Sequence, residues 1–407
     1  MIKIDYTTLS KNPLLGFYQV KDQIYWDKAS ALLGATKSGL KFEDLHWNFN
    51  DMEFGSFDWT LEPPGDIRDY YYARARELRE KYDYIILNCS GGADSTTMLY
   101  SFINQGLHVD EVFVRHATAG TNKYKVSNRD FDARNEFSEF EHAALPLLKW
   151  LQNVSPNTKI TVHDFSLDII DDNLTWDENF IYWCGDYVTP GCIVRYTHAK
   201  QKESLQVFDK GKKVGILFGT DKPKLYIDNN QLYLKFTDRV VHTATPAAVN
   251  NGYDNIEVEL FYWHPDSRAM VAKQCHMIKR WLEHPVNQRM QYMFDTEWQA
   301  WNRTAYESLV KGIIYPDYDL STFQCHKPTR ASYQEWDYWM EDFRNTAGYK
   351  TFMRGYTHLY RNIDKSFIKS NSNNVIGVQR ETAQTWEYRM CYSHSYKIGH
   401  INKEIIT

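Results

Sequence analysis

The sequence predicts an α/β protein built on a parallel sheet, and three observations carry that prediction. Short apolar runs alternate with segments of helical spacing across residues 66–250. The first of these runs, Tyr84–Leu87, is apolar without a break, as a strand covered on both faces is. Three runs end in small or polar residues, at Ser90–Ser95, Arg115–Gly120 and Gly219–Pro223. Those are strand exits, where parallel sheets bind their ligands.

Composition sets the outer limits. At 407 residues and 43% hydrophobic content the chain can bury a substantial core, with room for two or three domains. No apolar run approaches a membrane span, and the N-terminus lacks a basic region followed by an apolar stretch. Six scattered cysteines suit a reducing compartment, so a cytoplasmic protein is expected. A net charge of −5 counts against steady duplex binding. The aromatic content of 15% suits either a binding surface or a large core.

Residues 1–65 read as a short N-terminal extension. In it, Gly16–Val20 and Ile24–Trp26 form a hairpin about Lys21-Asp22, and Asp27 caps a helix through Leu33. Pro63-Pro64-Gly65 breaks the chain, and Asp66 caps a charged amphipathic helix over Asp69–Lys81. Tyr84–Leu87 is the first strand of the sheet. Thr96–Gln105 follows as a helix, with Met98, Leu99, Phe102 and Ile103 on one side and Gly106 as its C-cap. Glu111–Arg115 is the second strand, Lys159–His163 the third and Lys213–Phe218 the fourth. Arg134–Gln152 between them has the period of a long helix, with Pro146 expected to kink it, and Pro190–Phe208 looks helical. Tyr226–Thr237 alternates as a hairpin about Asn229-Asn230. Residues 251–407 read as a helical, aromatic-rich C-terminal domain, with an apolar run at Ile256–Trp263 and a helix from His264-Pro265-Asp266 through Leu282.

The stretch after the first strand carries the chemistry. Strand, glycine turn and helix together cradle a phosphate. Glycines let the backbone approach an anion, and the N–H groups of the first helical turn face it with the positive end of the helix dipole. Ser90 and Ser95 add hydroxyl donors. The stretch lacks the Gly-Lys-Ser/Thr ending of the nucleoside-triphosphate P-loop and the three glycines of the dinucleotide fingerprint. The plain alternative is an ordinary Ser/Gly turn between strand and helix. Ser90-Gly91-Gly92-Ala93-Asp94-Ser95 resembles the signature of the PP-loop ATP pyrophosphatases, the adenine nucleotide alpha-hydrolase-like superfamily. The resemblance covers residues 66–250 and implies a Rossmann-like sheet of the PP-loop/HUP type. It also implies ATP with Mg²⁺, and cleavage of ATP to AMP and pyrophosphate. The AMP-forming step would activate a carbonyl or carboxyl oxygen of a small molecule or nucleobase for attack by an amine, ammonia or sulfur.

On this resemblance Ser90, Gly91, Gly92, Ala93, Asp94 and Ser95 hold the pyrophosphate. An acid in an anion site is unfavourable unless a cation mediates, so Asp94 is assigned to Mg²⁺ or to fixing the loop through backbone N–H groups; the plain alternative, which can coexist with these, is a favourable acid in the first turn of the helix. Gly219-Thr220-Asp221-Lys222 matches the position of a later functional loop in the family. There Asp221 would meet a metal and Lys222 the α-phosphate; the same residues also make a good surface turn. Adenine would lie over the second strand exit, nominating Arg115 and His116, although a lone His is commonly structural.

The remaining polar clusters are less specific. The chain has no Cys-x-x-Cys pair and no Cys beside Met1, which departs from the tRNA-thiolating, deazaguanine-making and asparagine-synthetase-like branches. Met390-Cys391-Tyr392 does not match the terminal cysteine motif of sulfonucleotide reductases. Cys184 and Cys192 are buried free thiols by default, or a metal site with Cys275 or Cys325. Tyr262–Asp266, Lys273–His276 and Phe323–Pro328 suit an acceptor site, or packing and capping alone. A basic aromatic tail, with Tyr349, Arg354, Tyr356, Tyr360, Arg361 and Lys365, makes a tRNA or DNA base-modifying enzyme the second hypothesis. A nucleotide-binding module without catalysis is the third. A homo-oligomer is compatible with all three.

Overall fold

A computed structural model describes residues 12–116, 118, 140–164, 211–238, 255–295, 303–319, 358–369 and 387–402. The expectations for residues 165–210, with Cys184, Cys192 and the helix over Pro190–Phe208, lie outside them, as do Phe323–Pro328, Tyr349, Arg354 and Tyr356.

The N-terminal part is a three-stranded antiparallel sheet. Strands β1 (Phe17–Val20) and β2 (Gln23–Tyr25) form the expected hairpin, with Lys21 at φ 53°, and β3 (His46–Asn48) pairs with the other edge of β1. Helix α1 (Lys28–Lys37) starts at Asp27, whose carboxylate accepts from Ser30 N at 2.7 Å. It runs four residues past Leu33 because Ala35 still faces the core. A short helix α2 (Asp51–Gly55) follows.

Helix α3 (Ile67–Lys81) begins on a reciprocal cap: Asp66 accepts from Arg68 N at 2.8 Å and Asp69 accepts from Asp66 N at 3.3 Å. It leads into β4 (Tyr84–Asn88), α4 (Ala93–Ile103), β5 (Glu111–His116), and then a π turn over Phe140–Ala144 that passes into α5 (Leu145–Val154). Pro146 therefore stands in the first turn of α5, directly after the π turn. Helix α4 starts at Ala93, three residues before Thr96, so Asp94 and Ser95 belong to its first turn. The apolar period begins only at Met98, which is why the sequence reads the helix as starting later.

Strands β6 (Lys159–Asp164), β7 (Val214–Phe218) and β10 (Ile256–Leu260) complete a five-stranded sheet in the order β10-β7-β4-β5-β6. Every neighbouring pair is parallel. Counted in chain order these strands lie 3-2-1-4-5 from the β6 edge, an order compatible with a Rossmann-like core. Ile85, Ile86 and Leu87 are buried, as are all five residues of β7, which explains their unbroken apolar character. The fifth strand lies beyond residue 250, where the sequence places the start of a C-terminal domain. It carries Glu257 and Glu259, and Glu259 is buried against Arg74 of α3 at 2.8 Å. Between β7 and β10 the hairpin β8 (Lys224–Asp228) and β9 (Gln231–Lys235) turns at Asn229 and Asn230, with φ 47° and 60°.

Helices α6 (Arg268–Glu283) and α7 (Arg303–Ile314) pack together, and α6 also meets α3. The short strands β11 (Ile368–Lys369) and β12 (Glu387–Tyr388) pair with each other, and β13 (Tyr396–His400) adds to β9. Much of the aromatic content closes an interior: Phe54 stacks on Phe236 at 4.6 Å and Trp47 on Phe49 at 4.8 Å. Trp59, Trp263 and Tyr396 pack around them. No described helix is long and apolar enough to cross a membrane.

Candidate functional site

The chain leaves β4 at Asn88 and turns through Cys89–Gly92 into α4. Gly91 sits at φ +74°, and a Cβ there would lie 2.5 Å from the backbone N of Ala144 in the π turn. A glycine is required twice over, for the left-handed backbone and for the close crossing. Ser95 Oγ accepts from Ser90 N at 3.2 Å and donates to Gly92 O at 3.1 Å, and Ser90 Oγ accepts from Gly92 N at 3.4 Å. Both hydroxyls expected to meet a phosphate thus brace the loop. No side chain caps the first turn of α4.

The exits of β4, β5 and β7 come together around one cavity of about 290 Å³, lined by Asn88, Ser90, Asp94, Ser95, Arg115, His116, Gly219 and Thr220, with Phe113, Phe140 and Phe218 as apolar walls. It lies where the strand order reverses, because the chain runs outward from β4 to β6 and returns on the other side of β4 at β7. Gly219 is pressed against α4: a Cβ there would lie 3.0 Å from Asp94 O. His116 stacks on Phe140 at 4.1 Å with its Nδ1 3.0 Å from Thr118 Oγ1.

Asp221 and Lys222 stand behind this wall and do not line the cavity. Both are buried. Lys222 Nζ lies 2.8 Å from Asp221 Oδ1, 3.6 Å from Asp94 Oδ2 and 3.6 Å from Glu307 Oε2. Lys224 Nζ lies 2.8 Å from Asp221 Oδ2 and 3.5 Å from Glu307 Oε1. Burial disfavours the Lys222 charge, but the carboxylates of Asp221, Asp94 and Glu307 outweigh it and hold its pKa above the ordinary lysine value. Burial likewise opposes the Asp221 carboxylate, and Lys222 and Lys224 overcome it, leaving that pKa well below the usual range. Two ammonium groups thus face three carboxylates, and Asp94 is the acid of the three that lines the cavity.

Asp94 is also gripped from the C-terminal half. Tyr315 donates to its Oδ1 at 2.5 Å, and Tyr262 donates to its backbone O at 2.8 Å. Sequence reasoning missed Lys224, Glu307 and Tyr315. A faint signal existed for Glu307: it and Lys311 are spaced one turn apart beside the core positions Tyr306 and Val310 of α7.

Two other clusters turn out to pack and cap. His264 accepts from Asp266 N at 3.2 Å, Lys273 pairs with Glu62 at 2.7 Å, Cys275 is fully buried and His276 meets Trp59 O at 3.1 Å. In the tail, Lys365 Nζ lies 3.6 Å over the Tyr360 ring, and Arg361 is exposed. No protein-family model matches the chain, and no curated protein shows significant similarity to it.

Proposed function

We propose that this protein cleaves ATP between its α- and β-phosphates and passes the adenylyl group to a carbonyl or carboxyl oxygen of a small molecule or nucleobase. The observation that carries the proposal is the meeting of three strand exits, 90–95, 115–116 and 219–220, around one cavity at the switch point of a parallel sheet. The uncapped first turn of α4 and the close-packed Gly91 loop suit a polyphosphate there. The family whose signature Ser90–Ser95 resembles uses such a loop for pyrophosphate.

In this reading the loop amides hold the departing pyrophosphate, and Arg115 and His116 flank the nucleoside side. The acceptor oxygen attacks the α-phosphorus; the bond to the β-phosphate oxygen breaks, and pyrophosphate leaves with that electron pair. An amine, ammonia or sulfur nucleophile then displaces AMP. Mg²⁺, when bound, neutralises the phosphate charge. Asp94 is the residue that would hold it, since it lines the cavity and Asp221 does not. Lys222 is a positioning residue, its ammonium 3.6 Å from Asp94 Oδ2, and the protein's contribution is alignment and charge complementarity.

The test is to incubate the full chain with α-labelled ATP and Mg²⁺, adding small-metabolite, tRNA and DNA fractions separately. AMP and pyrophosphate are expected with the small-metabolite fraction and to vanish in Asp94→Ala. Release triggered only by tRNA or DNA would transfer the proposal to a nucleic-acid base. ATP binding without AMP release in any arm would overturn catalysis, and full activity in Asp94→Ala would overturn the site.

A further inference from the structure

A second cluster lies among elements that contribute nothing to that cavity. His46 is on β3, Asp51 opens α2, and His394 lies between β12 and β13. His46 Nε2 is 2.8 Å from Asp51 Oδ2, and His394 Nε2 is 3.3 Å from the same oxygen. One ligand atom from each residue falls within 4.8 Å of the others. In a tetrahedral site with bonds of roughly 2.0–2.1 Å, ligand atoms stand about 3.3 Å apart. The two rings lie 4.7 Å apart, so both imidazole edges converge on one carboxylate.

We propose that His46, Asp51 and His394 bind a divalent transition metal of the zinc class, which ties the N-terminal sheet to the C-terminal strand. This inference is independent of the ATP reading.

The frame around the cluster is built to hold it. His46 is registered opposite Gln19 in the β1–β3 ladder. Asp51 Oδ1 accepts from Phe49 N at 3.2 Å, which turns Oδ2 toward the two rings, in the manner of an outer-shell contact at a metal site. The residue before His394 is pinned: Ser393 N donates to Phe236 O at 3.1 Å, and Ser393 Oγ accepts from Phe236 N at 2.9 Å. Below lies the aromatic interior of Trp47, Phe49, Phe54 and Tyr396. On the outer side the His394 side chain is 64% exposed, leaving a way in for the ion and for a water as fourth ligand.

The donor set selects the ion. Two neutral imidazoles and one carboxylate match Zn²⁺, Co²⁺ or Ni²⁺, whereas Mg²⁺ and Ca²⁺ take oxygen shells. The site is therefore chemically distinct from the Mg²⁺ that accompanies ATP. The ligands come from both ends of the described chain, residues 46 and 51 against 394, so an ion bound there is a clasp. Without an ion, His46 hydrogen-bonds the Asp51 carboxylate and His394 Nε2 stands 3.3 Å from the same oxygen, and the experiment distinguishes the two arrangements.

The full chain, stripped with a chelator and dialysed, is titrated with Co²⁺ while the visible spectrum is recorded, and with Zn²⁺ against a colorimetric chelator. Melting is followed with and without Zn²⁺. The expected result is one strong site per chain with a nitrogen–oxygen Co²⁺ spectrum and a Zn²⁺-dependent rise in Tm. Both should be lost in His394→Ala, with affinity at least about 100-fold weaker, since even outer-shell changes cost roughly 10–100-fold. His394 is exposed, so that variant should fold; Asp51→Asn provides a second one. Absence of a strong site in the wild type, or an unchanged spectrum and affinity in His394→Ala, would overturn the proposal. Because the chain has 14 His and 6 Cys, the variant comparison assigns the site and total metal content does not.

Discussion

The Tyr315 hydroxyl donates to Asp94 Oδ1 at 2.5 Å, across 221 residues of sequence. Burial pushes the Tyr315 phenol well above its ordinary pKa, and the neighbouring Asp94 charge adds to the shift, so it stays a donor at neutral pH. Tyr262 braces the same turn through the Asp94 carbonyl, and its ring lies 5.8 Å from both Tyr315 and Tyr71. Tyr71 in turn donates to Ile314 O at 3.0 Å. The acid that we place beside the phosphates is thus aimed by a buried wall of tyrosines.

Removing that one donor should separate positioning from folding. Tyr315→Phe keeps the ring and deletes a hydrogen bond to a charged group, which is worth about 1.5–3 kcal/mol. AMP-forming turnover is expected to fall about 10–100-fold while the melting temperature moves by a few degrees. Pyrophosphate release measured alongside thermal melting checks this, and unchanged turnover would remove Tyr315 from the site.

Gly91 and Gly39 form a matched pair. Gly39 has φ +71° and open space where a methyl group would stand, with nothing within 4 Å, whereas at Gly91 the Ala144 backbone is 2.5 Å from that position. Gly39→Ala should cost only the left-handed penalty of about 1–2 kcal/mol. Gly91→Ala should cost more and also weaken ATP binding at least about tenfold, as the loop and the π turn are forced apart. Urea denaturation and nucleotide titration of both variants test the contrast.

Lys222 faces three carboxylates from a buried position, two of them shared with Lys224, so its loss should be felt in stability first. Lys222→Met is expected to cost about 3–5 kcal/mol, the usual penalty for stranding buried charge. Adding Glu307→Gln should restore part of this, because Glu307 then no longer needs a counter-ion. A double-mutant cycle by chemical denaturation measures the coupling; strict additivity would contradict the shared network.

Acid stability should report on Glu259. Burial alone would raise its carboxyl, but Arg74, with Lys81, His264 and Tyr82, holds it down at about 2. A depressed folded pKa contributes stability that is present above the unfolded value of about 4.3 and is lost as pH falls through the folded one. Between about pH 4.3 and 2, roughly 3 kcal/mol should be lost from this group. Glu259→Gln should show a lower plateau and a shallower acid limb in denaturation curves taken across that range.

How much of this was legible varies with the range of the interaction involved. The Lys21-Asp22 and Asn229-Asn230 turns, the Asp66 cap and four of the five parallel strands follow from neighbours in sequence and appear where expected. The start of α4 was less legible, since Gly92, Ala93 and Asp94 carry no apolar period. Lys222 reads as a residue reaching for a phosphate because its exposure is invisible in sequence; the fold buries it behind Asp94.

By itself the sequence determined the local grammar of this protein: which runs make strands, where they stop, and that a Gly-Gly turn opens a helix at one of those stops. These depend on backbone freedom, capping and period, which act over a few residues. Only the tertiary structure decided that β7 returns beside β4, that Tyr315 and Glu307 reach the turn around Asp94, and that His46 meets His394. Those meetings depend on the order in which strands pair and on how helices pack back onto the sheet, and residues hundreds of positions apart carry no shared local signal of it.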